Sequence, residues 1–188
     1  MLLRHLLSIA ALPLVVTVVV PMWLAHRYRV SIEVADSAAG ILIQASGLAV
    51  AAVGLLLFGS SLRRFAVEGK GTLAPWDPPR RLVVHGPYRH VRNPMISGVL
   101  FLLAGEGLLL LSRVHVVWAL IFAALNATYI PLYEEPRLKR RFGVAYEKYS
   151  RHVPRFVPRL RPWTGRVSVD PPRVADGRDP RSFGSEDT

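Results

Sequence analysis

An all-α, polytopic membrane protein, with about four transmembrane helices and a C-terminal cytoplasmic helical segment, is the fold this sequence predicts, on three observations. The 188 residues are 51% hydrophobic yet carry a formal charge of +11, an odd pairing for a soluble domain. The two properties are segregated, with long apolar runs up to Tyr133 and dense Arg after it. Several of those runs approach the roughly 20 residues that a helix needs to cross a hydrocarbon core about 30 Å thick.

Residues 6–25 are free of charge. They read as a span or as a signal sequence. The run is long for a signal, and no small-x-small cleavage site comes before His26 and Arg27, so a retained helix is expected. Residues 38–58 form the second span, in which Gln44 and Ser46 are the polar interruptions and Gly40, Ala45, Gly47, Ala51 and Gly54 would let a neighbouring helix approach closely. Residues 95–111 and 116–133 make the third and fourth, a hairpin turning at Ser112, Arg113 and His115. Glu106 lies inside the third span. It faces protein or water, or else sits near the outer interface, because a carboxylate in lipid is costly.

The loops fix an orientation. Seven Lys and Arg lie between spans two and three (Arg63, Arg64, Lys70, Arg80, Arg81, Arg89, Arg92), against two in the first loop and one in the third. Positive charge marks the cytoplasmic side, so both termini and the long second loop are expected in the cytoplasm, in a bacterial inner (plasma) membrane. Residues 1–166 read as one membrane domain, with 134–163 as its structured cytoplasmic segment. The 167–188 tail is rich in Gly, Pro, Asp, Arg and Ser, a composition that predicts a disordered basic and polar tail.

The absence of cysteine excludes disulfides, thiolate nucleophiles and Cys-based zinc sites. No histidine pair has helical ligand spacing, so no metal is expected. A transporter is disfavoured because the spans show no interrupted helices or paired intramembrane charges.

Two segments could carry chemistry. The first is Gly86-Pro87-Tyr88-Arg89-His90-Val91-Arg92-Asn93-Pro94-Met95-Ile96-Ser97-Gly98. Pro94 suits a first helical turn and Asn93 is a strong N-cap, so a helix should begin here at the interface. Free N–H groups at that end, with Arg92 beside them, could bind an anion. An ordinary capped helix with positive-inside arginines explains the same residues. The second segment opens on Glu134-Glu135 and continues through Leu138, Phe142, Tyr146 and Tyr149, spaced four, four and three apart so as to share one helical face. The carboxylates at the end of an apolar span either hold a ligand or are solvated partners of nearby Arg.

Together these segments resemble the isoprenylcysteine carboxyl methyltransferase and phospholipid methyltransferase families of integral-membrane enzymes. The matching positions are Gly86, Tyr88, Arg92, Asn93, Pro94, Gly98, Glu134, Glu135, Leu138, Phe142, Gly143, Tyr146, Tyr149, Arg155 and Pro158. The resemblance implies methyl transfer from S-adenosyl-L-methionine to a small or lipophilic acceptor entering from the bilayer. It places cofactor contacts on Arg80, Arg81, Leu82, Val83, Tyr88, Asn93, Pro94, Met95, Ile96 and Glu134. Arg92 is a donor for the cofactor carboxylate, and Glu135 a base for a thiol or amine acceptor. This sequence departs from the family pattern at three places: Asn93 replaces the usual His, Ile96 the usual Tyr, and Ile130 the Arg that binds the carboxyl of a prenylcysteine. The other function to weigh is a non-catalytic membrane protein whose basic tail binds anionic headgroups; thirteen Lys and Arg follow Glu134. No nucleic-acid partner is expected, and four thin spans leave lipid-facing surface enough for a homodimer.

Overall fold

The computed structural model describes residues 12–68 and 82–165, and every regular element in them is helical. Helix α1 (Val20–Tyr28) continues a π turn at Val15–Val19. Helix α2 (Ala38–Glu68) is followed by a short 3-10 turn at Gly86–Arg89 and by helix α3 (Pro94–Leu109). Helix α4 (Arg113–Tyr129) runs through a second π turn, Ile130–Glu134, into helix α5 (Glu135–His152). By length and composition, 38–64 in α2 and the continuous run beginning at α4 can cross a membrane, and two shorter apolar helices accompany them. The apolar surface points outward, as lipid requires: Leu42, Leu48, Leu55, Leu56, Leu120 and Leu125 are all exposed.

The observed bounds differ from the expected spans at several points. Helix α2 runs on to Glu68, ten residues past 58. At about 1.5 Å per residue its 31 residues exceed a 30 Å core, so its last turns rise beyond the bilayer. The hairpin turns earlier than expected, at Leu110–Ser112, with Leu111 at φ 48. His115, expected in that turn, is instead buried inside α4. The two π turns are absent from the apolar pattern because they change hydrogen-bond register and leave hydropathy unaltered. Residues 1–11 and the 167–188 tail lie outside the described residues.

Helices α2 and α3 pack antiparallel through bare backbone. A Cβ added to Gly47 would meet Leu109 N at 2.6 Å and Gly105 O at 2.8 Å. One added to Gly54 would meet Leu102 N at 2.7 Å and Gly98 O at 2.8 Å. The relation is reciprocal, with Gly98 set against Phe58 N and Gly54 O, and Gly105 against Ala51 N and Gly47 O. Each glycine thus lies over a main-chain hydrogen bond of the opposing helix, an approach that any side chain would block. Gln44 anchors the far end of this seam. Its Nε2 donates to Glu33 O at 2.6 Å and Leu109 O at 3.1 Å, and its Oε1 accepts from Ala35 N at 3.0 Å.

Helix α1 is held by two polar side chains of α4. In the π register, Val20 N–H reaches Val15 O, so Val16 O faces residue 21, a proline with no N–H to give. Trp118 Nε1–H fills that vacancy at 3.1 Å. One turn away, His115 Nε2–H donates to Pro21 O at 3.2 Å while its Nδ1 accepts from Ser112 Oγ at 2.8 Å. An unpaired carbonyl in a lipid environment is expensive, which gives both residues a structural reason to sit in an apolar span. Glu106 lies one turn before the end of α3 with its Oε2 enclosed and without a hydrogen-bond partner.

Candidate functional site

The sequence-predicted segments meet where α2 ends, α3 begins and α4 gives way to α5. The chain after α5 folds back along residues 89–92. Arg92 N–H donates to Pro154 O at 2.8 Å, Arg159 N–H to His90 O at 3.0 Å and Trp163 N–H to Arg89 O at 2.9 Å. Side chains repeat the connection: Arg89 Nε–H donates to Trp163 O at 2.6 Å and His90 Nδ1–H to Arg159 O at 2.8 Å. Beneath this double strap lie buried Tyr146, Tyr149, Val153 and Trp163, joined by Leu82, Val84, Leu138 and Phe142. Tyr149 O–H donates to Tyr88 O at 2.6 Å. Burial pushes this phenol well above its usual range, which keeps the donor protonated.

Leu138, Phe142, Tyr146 and Tyr149 do join one cluster, as their spacing predicts, but not on one unbroken helix. Gly143 stands at φ 50, ψ −132 and kinks α5. That backbone conformation is costly for any residue with a Cβ, which gives glycine its place directly after Phe142.

At the edge of this cluster is a three-residue ionic knot. Glu135 Oε1 accepts from Arg92 Nη1 at 2.8 Å and from Arg155 Nε at 2.7 Å, and Oε2 accepts from Arg155 Nη2 at 2.8 Å. The Arg155 contact is a two-point fork, the strongest geometry open to a guanidinium and a carboxylate. Burial alone would raise the Glu135 pKa. The hydrogen bond from Arg155, with the charges of Arg92, Arg155 and Lys139, outweighs it and holds the carboxyl below its usual range. Glu134, one residue earlier, is the opposite case. Among the described residues no cation pairs with it, and burial, reinforced by the charge of Glu135, pushes its pKa up.

The remaining predicted residues are placed as follows. Arg80 and Arg81 lie outside the described residues. Leu82 packs on the aromatic cluster, and Val83 and Tyr88 are half-buried beside it. Pro94 is buried at the first turn of α3, with Met95 and Ile96 half-buried after it. Asn93 occupies the N-cap position, but its side chain makes no cap hydrogen bond, contrary to the capping expected from its type. Its backbone φ of −119 and ψ of 66 carry it out of the usual cap geometry. Its carbonyl takes Ser97 N–H and Ser97 Oγ–H, both at 2.9 Å, so the first turn closes without the side chain. Arg92 and Glu135 are brought into direct contact. Ile130 is 1% exposed, turned inward where the family pattern has a substrate-binding Arg.

Two participants escaped sequence reasoning. Arg155 matches the family pattern, but nothing local assigns it to Glu135, twenty residues away. Trp163 closes the cluster from beyond the last helix. An open concavity lined by Ala25, His26, Arg27, Arg29, Val30 and Ser31 lies at the other end of the bundle and has no carboxylate in its lining.

Comparison with known proteins places the chain in a family. Two curated rice proteins, from Oryza sativa subsp. indica and subsp. japonica, each named "Probable protein-S-isoprenylcysteine O-methyltransferase", are 30% identical to this chain over 106 residues. The match covers 53% of this chain and 55% of each relative, so the chain spans about half the length of the curated relatives it matches. No solved structure matches. The sequence profile of the phospholipid methyltransferase family matches residues 42–145, from α2 through the first half of α5, and takes in the glycine seam, the Arg92 segment and both carboxylates. More than half of the chain is covered by that profile, and the chain therefore belongs to the phospholipid methyltransferase family.

Proposed function

We propose that this protein transfers a methyl group from S-adenosylmethionine to a small or lipophilic acceptor, at the membrane face where α3 begins and α4 gives way to α5. The observation that carries the reading is the opposite condition of two neighbouring carboxylates, Glu134 without a cation among the described residues and Glu135 pinned between arginines. S-adenosylmethionine, when bound, supplies an activated methyl on a cationic sulfur. Glu134, partly desolvated and with no cation paired to it among the described residues, is suited to stabilise such a positive centre. Arg92 has a buried Nε with no hydrogen-bond partner, a donor short of an acceptor, which fits the carboxylate end of the same molecule. Leu82, Val83, Tyr88 and the uncapped first turn at Met95 and Ile96 supply apolar wall and N–H donors.

Methyl transfer is an in-line displacement, so these residues align the reactants and exclude water. A base is needed only if the acceptor is a thiol or amine. Glu135, ionised and held by two guanidiniums, is better suited to organising the site than to taking a proton. Inward-facing Ile130 offers no charge to an acceptor carboxylate, which favours an acceptor other than a prenylcysteine. The positive-inside pattern of the loops supports a cytoplasmic placement of this face. The alternative, attraction to anionic lipid, is favoured by the exposed Arg137, Lys139, Arg140 and Arg141 of α5, and it can accompany catalysis.

The test is equilibrium binding of S-adenosylmethionine to detergent-purified protein. Saturable binding is expected, weakened about tenfold or more by Glu134→Gln through loss of a charge-assisted contact. Affinity should fall as the pH drops through the raised Glu134 pKa, because the cation prefers the ionised form, and Glu134→Gln should remove that dependence. No binding up to millimolar concentration would sink the proposal.

A further inference from the structure

Arg155 fits the family's sequence pattern but lies beyond the 42–145 segment that the family profile covers, and methyl transfer as outlined gives it no task. It nevertheless makes two of the three hydrogen bonds to Glu135. A carboxylate facing a single arginine tends to close a two-point fork with it. Glu135 faces Arg92 through one oxygen only, because Arg155 takes Oε2 outright and shares Oε1. The Arg92 guanidinium is thereby bonded to Glu135 through Nη1 and faces the buried Tyr146 hydroxyl, and its backbone N–H donates to Pro154 O next to Arg155. Its Nε stays enclosed without an acceptor. Such an unmet donor on a charged group is costly to keep, and two guanidiniums now share one carboxylate.

The geometry points to Arg155 as a positioning residue that draws Glu135 away from a full pairing with Arg92, so that the Arg92 guanidinium keeps hydrogen-bonding capacity for the carboxylate of an amino-acid-bearing nucleoside ligand. This rests on the methyl-donor reading of the site and adds to it the residue that sets recognition of the donor's amino-acid end. The resulting surplus of positive charge at Arg92, with the carboxylate of Glu134, unpaired among the described residues and adjacent in sequence to Glu135, complements a ligand carrying both signs.

Two probes separate a positioning role from a merely structural one: S-adenosylhomocysteine, and 5′-methylthioadenosine, which keeps the nucleoside and the thioether but lacks the amino-acid end. Calorimetric titration of the full chain in detergent should show Arg155→Met losing about tenfold in affinity for the first and less than about twofold for the second. Arg155→Lys keeps the charge and loses the fork, and should lower the same affinity ratio by a smaller factor. Adding Glu135→Gln to Arg155→Met should restore most of the ratio, because a neutral amide captures Arg92 far less strongly than a carboxylate and leaves its charge to the ligand. If Arg155→Met does not fold, the lysine and double variants carry the test. Equal losses for both probes, or an unchanged ratio in the lysine variant, overturn the positioning role alone. Failure of the unaltered protein to bind either probe overturns the methyl-donor reading with it.

Discussion

The glycine seam between α2 and α3 and the ionic knot at Glu135 hold together neighbouring parts of one molecule by opposite means. In the seam, side chains are absent and main chain lies on main chain. The gain is close packing, which is what remains to drive helix association once lipid has replaced water as the solvent. In the knot, three long charged side chains are oriented by one another beside a strap of backbone hydrogen bonds. There water has been only partly removed, so fixed charges interact more strongly than in solution while ligands still have access. The seam is suited to rigidity, and the knot to recognition.

The sharpest way to break this comparison is Glu135→Ala, which strands two guanidiniums. About 3 kcal/mol of stability should be lost, the low end for a broken buried pair because Arg155 is 33% exposed. A fall in thermal midpoint in detergent, with faster proteolysis of the 153–163 strap, would show it. The same pair has a pH signature. A carboxyl whose folded pKa is depressed contributes stability that is complete above its unfolded pKa and disappears as pH falls through the folded one. Acid should therefore destabilise the unaltered protein more than Glu135→Gln.

Gly98→Ala tests the seam. The new methyl would meet Phe58 N at 2.7 Å and Gly54 O at 2.9 Å, both of them backbone, so the helices must separate, at a cost of about 2 kcal/mol. Denaturant titration would measure it, and no change in stability would mean that the helices are not seated as described. Trp118→Phe, which returns Val16 O to an unpaired state, should cost about 1 kcal/mol, since hydrogen bonds between membrane helices are individually modest. Asn93→Ala should have the smallest effect on stability, well under the usual 1 kcal/mol for a lost cap, because the side chain makes no cap bond. If it also weakens S-adenosylmethionine binding, the residue is held there for the ligand.

Different parts of this molecule were legible to different degrees. The seam could be read in part: the small residues of the second span announce a close helix contact, though not that Gly47 meets Gly105 and Gly54 meets Gly98. The hairpin was visible as two apolar runs, but its turn was misplaced because His115 looks like a loop residue until Pro21 O is known to need a donor. Glu134 and Glu135 stood out as a pair at the end of a span, yet nothing in their order distinguishes the paired from the unpaired carboxylate. The π turn that ends on Glu134 and the return of Arg155 to Glu135 decide that.

The sequence alone determined that this chain is helical, belongs in a membrane, and gathers its basic and acidic residues at segments similar to a methyltransferase family. Those properties follow from composition, run length and local spacing, which the solvent reads directly. Tertiary structure decided which oxygen meets which guanidinium, why Asn93 does not cap, and how Trp163 and Arg155 close the site from beyond the last helix. These contacts join residues 20 to 74 positions apart, and no local periodicity encodes a partner at that distance.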